Sequence, residues 1–184
     1  WKNFHKLEPG HYIEIKNNKF NINKYWNLEI KINENITNKN KNIYFDELKD
    51  LILDSNKIQS RSDAKIGVFL SGGLDSTLIT KIFSENYKKK FNTYTVDFEG
   101  KKNLEINNVK KLLGNTKINI NYHFLKFKEN KNIYENVLNA FDEPNSDSAS
   151  IPSYLLALKS KNNQDKVILN GCGGDEIFGG YDRY

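Results

Sequence analysis

Apolar and polar positions along this chain change period several times, and the changes mark out its elements. Ile66, Val68, Phe69 and Leu70 form an almost unbroken apolar run, which suits a strand buried on both faces of a parallel sheet. The run stops at Ser71-Gly72-Gly73, after which Leu78, Ile79, Ile82 and Phe83 recur at helical spacing to about Tyr87. Upstream, Ile43, Leu48, Leu51, Ile52 and Ile58 predict an amphipathic helix over 43–58. Downstream, Tyr94, Val96 and Phe98 alternate within a strand expected over 91–98, and a helix over 104–113 ends at Gly114, a residue suited to the C′ position. A strand over 118–125, helices over 133–141 and 150–160, and a fourth strand over 167–169 complete the pattern. Strands alternating with helices specify an α/β fold: a parallel twisted sheet with helices on both faces, joined by right-handed crossovers. In such sheets ligands bind at the carboxyl ends of strands, where the strand order reverses.

The first thirty residues follow another rule. Leu7-Glu8-Pro9-Gly10 signals a turn, Tyr12-Ile13-Glu14-Ile15 reads as a strand, Asn17-Asn18 turns again, and Phe20-Asn21-Ile22 returns. This predicts a β-hairpin, with Tyr25-Trp26-Asn27-Leu28 as a packed strand or connector. Residues 31–42 mix Lys, Asn, Glu and Ile, the composition of a linker. The expected division is therefore 1–30, a linker over 31–42, and an α/β part over 43–184. The chain begins Trp1-Lys2-Asn3 with neither Met nor an apolar leader, so it is expected to be cut from something longer.

Composition narrows the classes. A chain of 184 residues can bury one ordinary core with a short appendage. A hydrophobic content of 38% and a mean hydropathy of -0.71, with no apolar run of membrane-spanning length, exclude a helical membrane protein as the expectation. Cys172 is the single cysteine, which excludes an internal disulfide framework and a cysteine-based zinc site. His5, His11 and His123 lack ligand spacing, and a reducing, cytoplasmic setting is expected. A net charge of +5 raises the question of nucleic acid. The lysines, however, are dispersed among asparagines and read as a solvated surface, so no nucleic-acid partner is expected.

The chemistry concentrates in two glycine loops. In Ser71-Gly72-Gly73-Leu74-Asp75-Ser76 the glycines permit a turn whose backbone N–H groups point together, and the following helix adds the positive end of its dipole. Such a nest takes an anion. It is not a Walker loop, because no Gly-Lys-Ser/Thr follows, and it lacks the third glycine of the dinucleotide fingerprint. The second loop, Asn170-Gly171-Cys172-Gly173-Gly174-Asp175-Glu176, follows the strand at 167–169 and places Asp175 and Glu176 at a helix start. There the dipole favours carboxylates, which can also hold a cation. Either loop alone admits a plainer reading as a capped strand-to-helix turn. Two of them on one sheet point to a shared ligand.

The first loop resembles the pyrophosphate loop, Ser-Gly-Gly-x-Asp-Ser, of the ATP pyrophosphatases. With the second loop, continued by Ile177-Phe178-Gly179-Gly180-Tyr181, the chain resembles the synthetase half of the glutamine-hydrolysing asparagine synthetases. Asp142-Glu143-Pro144 and the residues after it look like that family's segment before the second loop. Leu7-Glu8-Pro9-Gly10-His11-Tyr12 and Tyr25-Trp26 look like the close of its glutaminase domain. The resemblance implies an ATP pyrophosphatase fold, similar to the adenine nucleotide α hydrolases. It implies ATP with adenine near Leu70, Val96 and Gly171, pyrophosphate held by Ser71, Gly72, Gly73, Leu74, Asp75 and Ser76, and Mg²⁺ held by Asp75 and Asp175 through the phosphates. Aspartate would be adenylated on its side-chain carboxylate, and ammonia made from glutamine in the preceding domain would displace AMP to give asparagine. The resemblance leaves room for a homodimer.

The chain departs from the family pattern in two places. Cys172 stands where an acid beside the adenylate is usual, so the catalytic set implied is Asp75, Asp175 and, in place of that acid, Cys172. Lys101-Lys102-Asn103-Leu104 stands where the family often has an Asp-Glu pair, with Glu105 nearby. Cys172 keeps open another carboxylate acceptor, such as a sugar acid in surface-glycan assembly, and also an ATP-binding module that does not catalyse. A sulfur-transferring tRNA enzyme would share the first loop but not the second. Family members draw a nucleophilic cysteine from the preceding domain and a lysine from later helices, so this piece alone is expected to be inactive.

Overall fold

A computed structural model describes residues 2–29, 41–99, 104–113, 119–128, 130–143 and 145–181, which fall into two compact units, Trp1–Phe45 and Asp46–Tyr184.

In the first unit, β1 (His11–Lys16) and β2 (Lys19–Lys24) pair antiparallel, with Ile13 opposite Ile22 and Ile15 opposite Phe20. Asn17 and Asn18 between them have φ of 51° and 56°, the two left-handed positions of a tight hairpin turn that asparagine tolerates. The stretch after β2 is a connector rather than a strand, with the Tyr25 and Trp26 amides both donating to the Gly10 carbonyl, at 2.8 and 3.2 Å. Gly10 is at φ +72°, and a Cβ there would strike the Trp26 carbonyl. Most of the expected linker lies outside the described residues; positions 41 and 42 already belong to helix α1 (Lys41–Gln59).

The second unit continues with β3 (Ile66–Phe69), α2 (Leu74–Asn86), β4 (Phe91–Phe98), α3 (Leu104–Leu113), β5 (Ile120–Phe127), α4 (Lys131–Asn139), α5 (Ser150–Asn162), β6 (Val167–Leu169) and α6 (Gly174–Phe178). The pattern located β4, α3 and β6 as observed, while β5 starts two residues later than expected. Ile118, Gly114 and Lys101 to Asn103 lie outside the described residues. Helix α4 starts two residues early because the Asn130 side chain caps it, accepting from the Asn132 amide at 2.8 Å. The stripe expected on α1 is only partly used. Leu48, Leu51 and Ile52 border an apolar groove of about 290 Å³ with Ile79, Leu169 and Phe178, whereas Ile58 stays exposed outside it.

The described residues form a parallel sheet in the order β5-β4-β3-β6. From β3 the chain steps outward through β4 to β5, then returns to the other side of β3 as β6. Right-handed crossovers therefore put α2 and α3 on one face and α4 and α5 on the other. In agreement, α2 packs on α3, α4 on α5, and β4 contacts both α3 and α5. Ile66, Val68, Leu70, Phe83, Phe91, Val109, Leu113, Ile120 and Leu169 make the core under α2 and α3. Phe83 meets Phe91 edge-on and stacks on Tyr87.

Strand β4 differs from its sequence expectation. Alternation implied one buried face, but every residue from Phe91 to Asp97 is buried, Asn92, Thr93, Thr95 and Asp97 included. As a central strand it satisfies Asn92, Thr95 and Asp97 internally, while the Thr93 hydroxyl has no hydrogen-bond partner among the described residues. On the α2/α3 side, Thr95 Oγ1 donates to the Leu70 carbonyl at 2.6 Å. On the α5 side, Asp165 accepts from Asn92 Nδ2 at 2.8 Å and from the Tyr94 hydroxyl at 2.5 Å, and pairs with Lys65 Nζ at 3.0 Å. Asn163 Nδ2 donates to the Tyr94 oxygen at 3.0 Å. Because Asn92 turns its amide nitrogen to Asp165, its Oδ1 faces His123 Nε2 at 3.1 Å, and Asn163 Nδ2 lies 3.3 Å from the same ring nitrogen. Burial, with the hydrogen bond to Asp165, pushes the Tyr94 phenol up to about 12. Burial, then Lys159, pulls the His123 imidazole down. Gly67 makes room for this network, since a Cβ there would come within 2.9 Å of Asp165 Oδ2 and 3.0 Å of the Tyr94 ring.

Candidate functional site

The two glycine loops leave β3 and β6, adjacent strands on either side of the point where the sheet order reverses. This is the crevice in which open α/β sheets hold ligands.

The first loop is fixed by its own serines. Ser76 Oγ accepts from the Ser71 amide at 3.2 Å, lies 3.0 Å from Ser71 Oγ, and donates to the Gly73 carbonyl at 3.3 Å. Ser71 Oγ accepts in turn from the Gly73 amide at 3.3 Å. Gly72 requires glycine on two counts: its φ is +80°, and a Cβ would lie 2.8 Å from the Glu105 carbonyl and 2.9 Å from Asn108 Cβ. The loop is thus pressed against the first turns of α3. Gly73 is the N-cap of α2 and makes no side-chain cap, so the helix's first amides are left for a ligand or water.

The second loop lies against the first. A Cβ on Gly171 would come within 2.9 Å of the Ser76 amide nitrogen, and one on Gly174 within 2.5 Å of Asp75 Oδ2. Asp75, in the first turn of α2, therefore rests its carboxylate on the backbone of the second loop. Asp175 follows Gly174 directly and opens α6, with the Gly180 amide donating to its carbonyl at 3.0 Å. Glu176 accepts from the Tyr181 hydroxyl at 2.8 Å.

The sequence-predicted residues thus divide. Ser71, Gly72, Gly73, Asp75, Ser76 and Gly171 come together at the crevice, with Gly174 added by the structure, whereas the Asp175 carboxylate lies against Gly180. Leu74 is exposed and Cys172 is exposed, its amide donating to Asn170 Oδ1 at 3.0 Å. Leu70 and Val96 are buried scaffold at the strand ends; the Leu70 amide donates to the Tyr94 carbonyl at 2.9 Å. A buried acid that the pattern missed is Asp97. Its two carboxylate oxygens accept from the Glu105 amide at 3.3 Å and the Ile106 amide at 3.1 Å, capping α3. An aspartate in a strand of otherwise apolar and β-branched residues was the available signal.

Glu105 carries an electrostatic load there: burial, then the Asp97 charge, pushes its carboxyl above the usual range. Its ionisation therefore opposes folding. The stability it allows is full below the ordinary carboxyl value of about 4.3 and declines as pH rises through its folded value. Glu105→Gln is accordingly expected to melt higher than the parent at pH 7 and together with it at pH 4, as read by thermal unfolding at the two pH values.

Paired glycine loops at the switch point of a parallel sheet, the first a Ser-Gly-Gly-x-Asp-Ser turn, define an α/β domain of the ATP pyrophosphatase class. Residues 47–184 match the family model for asparagine synthase, and the chain belongs to the asparagine synthase family. It is 33% identical over 182 residues to a Methanocaldococcus jannaschii protein provisionally named asparagine synthetase [glutamine-hydrolyzing] 2, covering 98% of this chain and 35% of that protein. Identity to asparagine synthetase [glutamine-hydrolyzing] 1 of Bacillus subtilis is 35% over 138 residues, or 75% of this chain and 22% of that one. To asparagine synthetase B [glutamine-hydrolyzing] of Escherichia coli it is 30% over 168 residues, 82% and 28%. The chain therefore spans about a third or less of the length of these relatives. No helix among the described residues is long and apolar enough to cross a membrane.

Proposed function

We propose that this chain is the nucleotide-binding part of an ATP-dependent amide ligase that adenylates a carboxylate, aspartate's in the first instance, and passes it to ammonia derived from glutamine. The observation carrying this is the contact of the two loops, in which Gly174 receives the Asp75 carboxylate and Gly171 abuts the Ser76 amide. That contact leaves the α2 amides and the Asp75 carboxylate at one crevice, with Asp175 the next residue after Gly174. The backbone amides of the 71–76 loop and the Ser71 and Ser76 hydroxyls bind the β- and γ-phosphates, with adenine toward the strand ends at Leu70, Val96 and Gly171.

The oxygen donors of Asp75 and Asp175 suit a hard divalent cation, and the missing Cβ at Gly174 provides the cradle for one of them. These residues would hold Mg²⁺, which when bound neutralises phosphate charge. The loop amides take up the charge that develops on the leaving pyrophosphate as the substrate oxygen bonds to the α-phosphorus and the bond to the β-phosphate bridge breaks. Ammonia then attacks the acyl carbon, AMP leaves, and a proton is lost to give the amide.

One observation favours a second acceptor. Cys172 is exposed in the second loop where a carboxylate is usual in the family, and a thiol there suits a different substrate or a different route for that proton. The test is the whole protein supplied with ATP, Mg²⁺, glutamine and aspartate, with pyrophosphate and asparagine measured together. The two are expected in step. Pyrophosphate released only with a sugar acid would replace aspartate as substrate, and ATP binding without pyrophosphate release with any carboxylate would make this a binding module.

A further inference from the structure

We infer that Asp97 is a positioning residue for the pyrophosphate loop, holding the first turn of α3 against Gly72. The inference rests on the pyrophosphate reading of residues 71–76. Asp97 ends the buried part of β4 and is 5% exposed, so its carboxylate must be satisfied by protein. Two backbone amides do this, those of Glu105 and Ile106, at the end of α3 where the helix dipole also favours a negative charge. The cap is therefore supplied across space by a strand, and it sets where α3 begins relative to the sheet.

What α3 presents at that position is the wall of the loop. The Glu105 carbonyl, Asn108 Cβ and the Val109 amide nitrogen would lie 2.8, 2.9 and 3.3 Å from a Cβ on Gly72. Glu105 thus gives its amide to Asp97 and presents its carbonyl to Gly72. If the cap is released, the first turn of α3 can recede. The left-handed Gly72 then loses the surface that fixes it, and the amides of the loop lose their common aim. The buried Ile106, Val109 and Leu113 still anchor the helix, so the effect is local.

The experiment compares Asp97→Ala and Asp97→Asn with the parent in the whole protein by amide hydrogen exchange, and by calorimetric titration with inorganic pyrophosphate and with adenosine. In Asp97→Ala, exchange of the Ser71 and Gly73 amides is expected to quicken about tenfold while β3 and β6 amides keep their protection. Pyrophosphate should bind about tenfold more weakly, adenosine within about twofold of the parent, and Asp97→Asn, which keeps one acceptor, should recover to within about threefold. Unchanged loop exchange in folded Asp97→Ala, or pyrophosphate and adenosine affinities falling together with the melting temperature, overturns the inference. If Asp97→Ala does not fold, the Asn variant decides: loop exchange about threefold faster than the parent supports the inference, and equal exchange overturns it. If the parent binds adenosine but no pyrophosphate, the reading of the loop fails, while the exchange arm still decides whether Asp97 positions it.

Discussion

Asp165→Ala is expected to cost about 3–5 kcal/mol, a large part of the 5–15 kcal/mol typical of a domain. The side chain of Asp165 is fully buried, and its removal strands two buried donors, Asn92 Nδ2 and the Tyr94 hydroxyl, each worth about 1–3 kcal/mol when left unpaired. Lys65 is different. Its side chain is 48% exposed, so on losing its partner it returns to water at little cost. Lys65→Ala leaves the buried Asp165 Oδ1 without its partner, but Asn92 and Tyr94 keep Oδ2 satisfied, so it should cost about 1–3 kcal/mol, less than Asp165→Ala. This asymmetry between two ends of one ion pair is the test, read by urea denaturation of both variants. Equal losses would mean that the pair itself, and not the buried hydrogen bonds to β4, holds this end of the sheet. Asp165 precedes β6 by two residues, so its loss should also loosen the strand that carries the second glycine loop.

That network explains where sequence reading reached its limit. The apolar run at 66–70 was legible as a doubly buried strand, and its Gly67 could pass as a neutral interruption. Only the fold reveals that Gly67 is the space occupied by the Tyr94 ring and the Asp165 carboxylate. In β4, Asn92, Thr93, Thr95 and Asp97 have the composition of a solvated face. The partners of Thr95 and Asn92 are 25 and 73 residues away, Leu70 and Asp165, and no local period can contain that information. Local chemistry was read more successfully. The Asn17-Asn18 turn, the start of α2 after Gly73 and the start of α6 after Gly173 follow from what those residues do to their own backbone. Between these cases lie the glycine loops, whose chemistry is visible in sequence. Their meeting is a consequence of the order β5-β4-β3-β6, which brings β6 back beside β3.

The largest loss of activity is expected from Asp75→Asn, with carboxylate-dependent ATP–pyrophosphate exchange falling at least about a thousandfold, as for removal of a group that stabilises transition-state charge. The amide keeps the size and most hydrogen-bonding capacity of the side chain but removes the charge that would hold Mg²⁺ beside the phosphates. Folding should be little altered, because Asp75 is only partly buried and its first-turn position favours but does not require an anion. Gly174→Ala approaches the same carboxylate from the other side. The backbone of Gly174 is not left-handed, so alanine meets no conformational penalty there. Its Cβ would nevertheless lie 2.5 Å from Asp75 Oδ2 and 2.6 Å from Cγ, and the carboxylate must swing away. A loss of about a hundredfold is expected, the scale on which a displacement of about 1 Å costs rate. Measured against Mg²⁺ concentration, the two variants separate: excess Mg²⁺ should recover part of the activity of Gly174→Ala, whose carboxylate is displaced, and none of Asp75→Asn, whose charge is gone. Retention of more than about a tenth of parental exchange by Asp75→Asn would remove Asp75 from the proposed cation site, since loss of one such group ordinarily costs about a hundredfold or more.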